Sequence, residues 1–147
     1  MISRGLRNNN PLNIRKSTAK WQGEVAQING VADAAFCQFV DIKHGYRAAL
    51  KLLYSYQSNH GCNTIRKIIN RWAPPIENST KVYINRVVRY IKSNTAYLAI
   101  TEDSHIDLTE EPTLAFALVC AMHLVENGTP PSPNNKLQLQ EALRMLS

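Results

Sequence analysis

Leu114-Ala-Phe-Ala-Leu-Val-Cys-Ala-Met-His-Leu-Val125 runs without a break into Glu126-Asn127-Gly128. The run is apolar on every side, so it reads as a helix inside a core and not as one lying on it. Thr109 suits the N-cap, Glu110, Glu111 and Pro112 suit a first turn, and Gly128 is placed to end the helix. Such a helix carries Glu126 to its own C-terminal end. Apolar surroundings and the negative end of the helix dipole both disfavour a carboxylate there, so the Glu126 carboxyl is expected above its ordinary pKa. A carboxylic acid that keeps its proton is what general acid catalysis needs, as in the cleavage of glycosidic bonds.

The segments before this helix sort by period and turn chemistry. After a polar arm, Asn8-Asn-Asn-Pro-Leu-Asn-Ile-Arg15 is dense in turn formers and reads as a loop carrying amides. Trp21-Gln-Gly-Glu-Val25 and Ala35-Phe-Cys-Gln-Phe-Val40 are short strand-like runs around a stretch that holds Asn29-Gly30, which predicts a hairpin. From Gly45 the spacing of Tyr46, Ala49, Leu50, Leu53, Tyr54 and Gln57 is helical, with His60-Gly61 as the stop. A shorter helix is predicted over Thr64 to Trp72. A third is capped from Asn78-Ser79-Thr80, with Tyr83, Val87, Tyr90 and Ile91 on one face and arginines on the other. Thr95 to Thr101 reads as a further short helix. Beyond Gly128 a Pro-rich linker, residues 129–134, leads to an amphipathic helix from about Asn135 to Met145.

At 147 residues and 44% hydrophobic content, residues 1–147 form a single domain, large enough to bury a core without staples. Cys37, Cys62 and Cys120 are irregularly spaced and include no Cys-x-x-Cys pair, so neither a structural metal nor a disulfide framework is expected. The chain contains no run near the roughly 18 apolar residues of a membrane span, and its first residues lack the apolar stretch of a secretory signal. It is therefore expected to be made in the cytoplasm without a signal peptide. Lys and Arg number 17 against 11 Asp and Glu, a net charge of +6 that favours a polyanionic partner: nucleic acid, anionic lipid or bacterial cell wall. The basic residues are scattered and form no tract, which argues against specific nucleic-acid binding.

Four blocks taken in order, Asn9-Asn-Pro-Leu-Asn-Ile-Arg15, Trp21-Gln-Gly23, Phe36-Cys-Gln-Phe39 and Gly45-Tyr-Arg-Ala48, resemble those of a family of small phage and prophage proteins. Its members are described as virion structural proteins or as lysozyme-like. Arg71-Trp-Ala-Pro-Pro-Ile-Glu-Asn78 and Glu126-Asn-Gly128 extend the likeness, which covers roughly residues 4 to 128. Leu12 stands where the family usually has Gly, and Leu124-Val125 where Arg-His is common. The same blocks, in another order, are similar to those of glucosaminidases and lytic transglycosylases. In those enzymes the catalytic Glu at a helix end comes first and a Tyr on a later helix follows. The resemblance thus implies a mainly α, lysozyme-like domain with a small β-hairpin, circularly permuted, in which Glu126 returns to the Asn9 to Asn13 loop and Tyr83 stands for the later Tyr. Permutation is physically permissible because domain termini commonly lie close together.

On this reading Glu126 is the general acid of a peptidoglycan-cleaving glycosidase of muramidase, glucosaminidase or lytic transglycosylase type. Asn9, Asn13, Trp21, Tyr83 and Asn127 are the candidate sugar contacts, while Asn10 before Pro11 is read as shaping the turn. Trp72 is read as a core aromatic, and His123 as a hydrogen-bonded core residue. Hydrolysis generally uses two carboxylates. Glu24 is the best second candidate, Asp33 and Asp41 are weaker, and Glu77 reads as a residue that leads into a helix. If none approaches Glu126, one acid suffices with substrate assistance or transglycosylation. No cofactor and no metal are expected, and the chain is expected to be monomeric. Its partners are glycan strands of the cell wall, reached in the periplasm by way of a phage particle, a holin or a secretion apparatus; residence in the virion is the other outcome. Two rival readings stand beside this one: a catalytically silent virion or cell-wall-binding protein, and a basic nucleic-acid-binding module.

Overall fold

The computed structural model describes residues 2–74 and 79–147. The chain is mainly helical, with one small antiparallel hairpin. Its elements in order are α1 (Arg4–Arg7), β1 (Glu24–Val25), β2 (Gln38–Phe39), α2 (Ile42–His60), α3 (Ile65–Trp72), α4 (Ser79–Asn94), α5 (Pro112–Asn127) and α6 (Pro133–Leu146). The apolar helix α5 is central and touches α1, α2, α4 and α6. Leu114, Leu118, Val119 and Met122 are fully buried in it, each side chain contributing about 1.5–3 kcal/mol by leaving water. No helix among the described residues is long and apolar enough to cross a membrane.

Local chemistry explains where the elements start and stop, and corrects four expected boundaries. Helix α5 begins at Pro112 without a side-chain cap. Thr109 is not its N-cap: its N–H and hydroxyl both donate to Asp107 Oδ1, at 3.2 and 2.9 Å, so Thr109 and Glu110 close a turn before the helix. Helix α2 starts three residues before Gly45, because the Asp41 carboxylate accepts the His44 N–H at 2.9 Å. Residues 95–101 form turns instead of a helix. Thr95 donates its hydroxyl to Ile91 O and accepts the Tyr97 N–H, which ends α4. Helix α6 begins at Pro133 behind the Ser132 cap, so the linker is shorter than expected. Thr64 caps α3, which starts at Ile65, and Gly61 ends α2 as expected, in the left-handed region at φ 62°. Asn78, expected to cap α4, lies outside the described residues, as does Glu77. Of the face read from the α4 period, Tyr83, Val87 and Ile91 are buried and Tyr90 is half-buried, while Arg86 and Arg89 are exposed.

The hairpin is shorter than its two strand-like runs. Glu24 pairs with Phe39 and Val25 with Gln38. The Asn29-Gly30 signal builds a tight turn of its own inside the connection: both residues have positive φ, 50° and 78°, and Ile28 and Val31 exchange hydrogen bonds across it. A third segment joins from the amide loop, where Cys37 N–H donates to Ile14 O and Lys16 N–H to Ala35 O. The amide loop therefore lies against the hairpin and, on its other side, against α2. A Cβ at Gly45 would stand 2.0 Å from the carbonyl oxygen of Asn9, so backbone and not a flexible side chain would have to give way. Gly45→Ala is expected to destabilise the fold by about 1–3 kcal/mol, the usual range for overpacking. A urea midpoint equal to the parent's would contradict this close docking of loop and helix.

Candidate active site

Helix α5 ends where Gly128 takes a left-handed φ of 76° and donates its N–H to Leu124 O at 2.8 Å. One residue earlier, Asn127 fastens that end to the beginning of the chain. Its Nδ2 donates to Pro11 O at 2.7 Å and to His123 O at 3.0 Å, and its Oδ1 accepts the Ser3 hydroxyl at 2.6 Å. Ser3 also caps α1, the short helix that feeds the amide loop. Within the loop Asn9 and Asn13 have positive φ, 52° and 56°, a conformation that asparagine tolerates better than most side chains. The fully buried Asn10 holds the loop's shape through Ile14 and Cys37.

This packing brings three elements to one carboxyl. Asn13 Nδ2 donates to Glu126 Oε1 at 3.0 Å, and the Tyr83 hydroxyl, from α4, donates to Oε2 at 3.0 Å. Burial pushes the Glu126 carboxyl above the ordinary glutamate value; Asn13, Tyr83 and the indole of Trp72 act the other way by favouring the ionised form. Burial, together with Glu126, also holds the Tyr83 phenol well above its ordinary value, so it stays a neutral donor. The Asn13 Oδ1 atom is packed near Gly5 without a hydrogen-bond partner among the described residues.

Glu126 and Asn13 open onto a cleft of about 670 Å³, walled by the aromatic rings of Trp21, Phe36, Tyr56 and Trp72. The hairpin region supplies Trp21 and Phe36, so it serves as a cleft wall and not as part of an extended sheet. Aromatic faces beside a half-buried acid and an amide suit a sugar ring, whose flat faces are apolar and whose edges carry hydroxyls and N-acetyl groups.

The expected site residues divide on inspection. Asn13, Trp21, Tyr83 and Glu126 meet at or beside the cleft. Asn9 does not join them: its Nδ2 donates to Phe39 O at 2.9 Å and its side chain borders a separate groove. Asn127 acts as the clasp just described. Glu24 accepts the Trp21 N–H at 3.1 Å, inside the hairpin, and is not a wall of the cleft. Asp33 is gripped by both arms of the Arg4 guanidinium at 2.8 Å and by Asn8, which together hold its carboxyl well below the usual range. Asp41 is the cap of α2. Trp72 is half-buried on the cleft wall and meets Tyr56 edge-on, instead of lying in the core. Arg15 and Arg71 also line the cleft. Sequence reading had no signal that sets them apart from the other scattered bases.

His123, one turn before Glu126, is a core residue as expected. It is fully buried and stacks on Tyr46, whose hydroxyl lies 2.9 Å from Nδ1. Burial pushes its pKa down to about 4. Between that value and the ordinary value near 6.5 the unfolded chain takes up a proton that the folded chain refuses, so this residue makes stability fall as pH drops through that window. The full effect, reached near pH 4, is about 3 kcal/mol. Glu126 acts in the opposite sense, because a carboxyl with a raised pKa gains from acidification. The comparison that isolates His123 is therefore the pH dependence of melting for the parent against His123→Gln. The parent should lose more stability between pH 6.5 and 4; parallel curves would exclude the effect.

No protein-family model matches the chain. It is 36% identical over 132 residues to protein P5 of Pseudoalteromonas phage PM2, a match that covers 88% of this chain and 74% of that protein.

Proposed function

We propose, because the chain belongs to the family of protein P5 of phage PM2, that it serves a phage at the bacterial cell wall, and that its cleft cleaves the glycan strands of peptidoglycan with Glu126 as general acid. The observation that carries this reading is the carboxyl of Glu126: half-buried, raised in pKa, bracketed by Asn13 and Tyr83, and open to an aromatic-walled cleft. In the proposed reaction Glu126 donates its proton to the glycosidic oxygen as the bond to the anomeric carbon breaks. The resulting carboxylate then takes a proton from the incoming nucleophile, either water or a hydroxyl of the same sugar. Tyr83 and Asn13 each donate a hydrogen bond to that carboxylate, so both stabilise the state left after proton transfer. Trp21 and Trp72 offer surfaces for the sugar rings. With Glu24, Asp33 and Asp41 each engaged elsewhere, a single-acid route is favoured over a two-carboxylate one. The fold reading that goes with this is the circularly permuted lysozyme-like domain, supported by the meeting of the Asn13 loop with the end of the Glu126 helix.

A second reading has its own support. The relative is a phage protein, and a virion component that holds the cell wall without cutting it would keep the same cleft. Purified sacculi separate the two. The glycosidase reading expects soluble muropeptides, with reducing ends if water is the nucleophile and anhydro ends if a sugar hydroxyl is. A protein that pellets with sacculi and releases nothing would be the silent component. Salt-sensitive DNA binding with no affinity for sacculi would point to a nucleic-acid module instead.

A further inference from the structure

The cleft holds two guanidiniums that pair with no carboxylate among the described residues. Arg15 lies over the ring of Phe36, 4.8 Å from its centroid, and Arg71 over the ring of Tyr56 at 5.2 Å. Arg71 also contacts His60, Nη2 to Nε2 at 3.1 Å. Both arginines are exposed, and neither forms an ion pair among the described residues. The contrast with Arg4 is informative. Arg4 covers Phe36 as well, at 4.6 Å, but its charge is spent on Asp33. Of the described residues that line the cleft, only Glu126 is acidic, and burial biases it toward its neutral form. The cleft is thus electropositive, and its two charges are pre-positioned by stacking on aromatic rings, which lowers the entropy lost when they bind a planar anion.

We propose that Arg15 and Arg71 select glycan strands that carry carboxylates, binding the acid groups of lactyl or peptide substituents, and that uncharged N-acetylglucosamine polymers are poor ligands. This rests on the peptidoglycan reading above. A neutral polysaccharide would leave two guanidiniums facing the ligand with no counter-charge, while forked guanidiniums match carboxylate geometry.

The test uses soluble peptidoglycan strands, native or with their carboxyls blocked as methylamides, and chitin oligosaccharides as an uncharged reference. Binding and product release are both measured. The parent should prefer native over blocked strands by about tenfold at low ionic strength, as expected for two solvent-accessible ion pairs, with the preference shrinking as salt is added. In R15Q/R71Q the preference should collapse toward one, chiefly through KM, and R15K/R71K should restore part of it because charge returns without the fork. Cleavage of native and blocked strands at equal efficiency by the parent would overturn the selection while leaving the glycosidase reading intact. Arginine-dependent binding of native strands without any cleavage would do the reverse. No binding to any strand would overturn both.

Discussion

Glu126→Gln should leave the protein folded and lower the release of muropeptides from sacculi by ~10²–10⁴, the usual contribution of a positioned general acid. The substitution keeps side-chain size at the end of α5. Its carboxamide oxygen can still accept from Asn13, and the Tyr83 hydroxyl can turn to accept from the new amide. What is lost is the transferable proton. The same logic fixes the pH profile of the parent: only the protonated acid donates, so the rate falls on the alkaline side as Glu126 ionises, and burial places that limb above the ordinary glutamate value. Unfolding curves of parent and variant should superimpose within about 1 kcal/mol, as for a conservative change at a half-buried site. If the variant digests sacculi as fast as the parent, Glu126 is not the acid and the cleft is not the place of cleavage.

The second large effect concerns stability and falls on a neighbouring amide. Asn10→Ala should cost about 3 kcal/mol or more, because it strands three buried backbone groups at once. In the folded chain Asn10 Nδ2 donates to Ile14 O and to Cys37 O, both at 2.9 Å, and its Oδ1 accepts the Ile14 N–H at 2.9 Å. Asn10 is fully buried, so water cannot take over these bonds. For a chain of this size such a loss lowers the melting temperature by roughly 10 °C. Asn13→Ala, in the same loop, should cost far less, since its amide makes one side-chain hydrogen bond, to Glu126. Equal melting temperatures for Asn10→Ala and the parent would remove the case for Asn10 as the loop's internal scaffold.

The difference between these two asparagines marks the reach of sequence reading. The run from Asn8 to Asn13 announces a loop, and the proline after Asn10 marks that residue as a turn former. Which of Asn9 and Asn13 faces the acid depends on the left-handed backbone at both positions and on how the loop docks. Local composition carries neither. Glu126 was legible because its signals are local: an apolar run, then an acid, then a glycine. Tyr83 followed from helical spacing together with the family resemblance. Arg15 and Arg71 were not legible as a pair, since they come together only when the amide loop and α3 border the same cleft. The Thr109 cap failed for a related reason. Asp107 and Thr109 have equal credentials locally, but the Leu108 N–H is drawn to Gln57 Oε1 of α2 at 2.8 Å, which fixes the turn around Asp107 and delays the helix to Pro112.

The clasp from Asn127 to Ser3 and Pro11 joins residues more than a hundred positions apart. On the ribosome the amide loop emerges well before α5, which carries Glu126 at its end. A nascent chain therefore carries the hairpin, α2 and α3 with most of the cleft wall while still lacking the acid. The proposed chemistry switches on only when the late helix docks against the early loop, so interrupted translation leaves fragments that are inert toward the wall of the cell that made them.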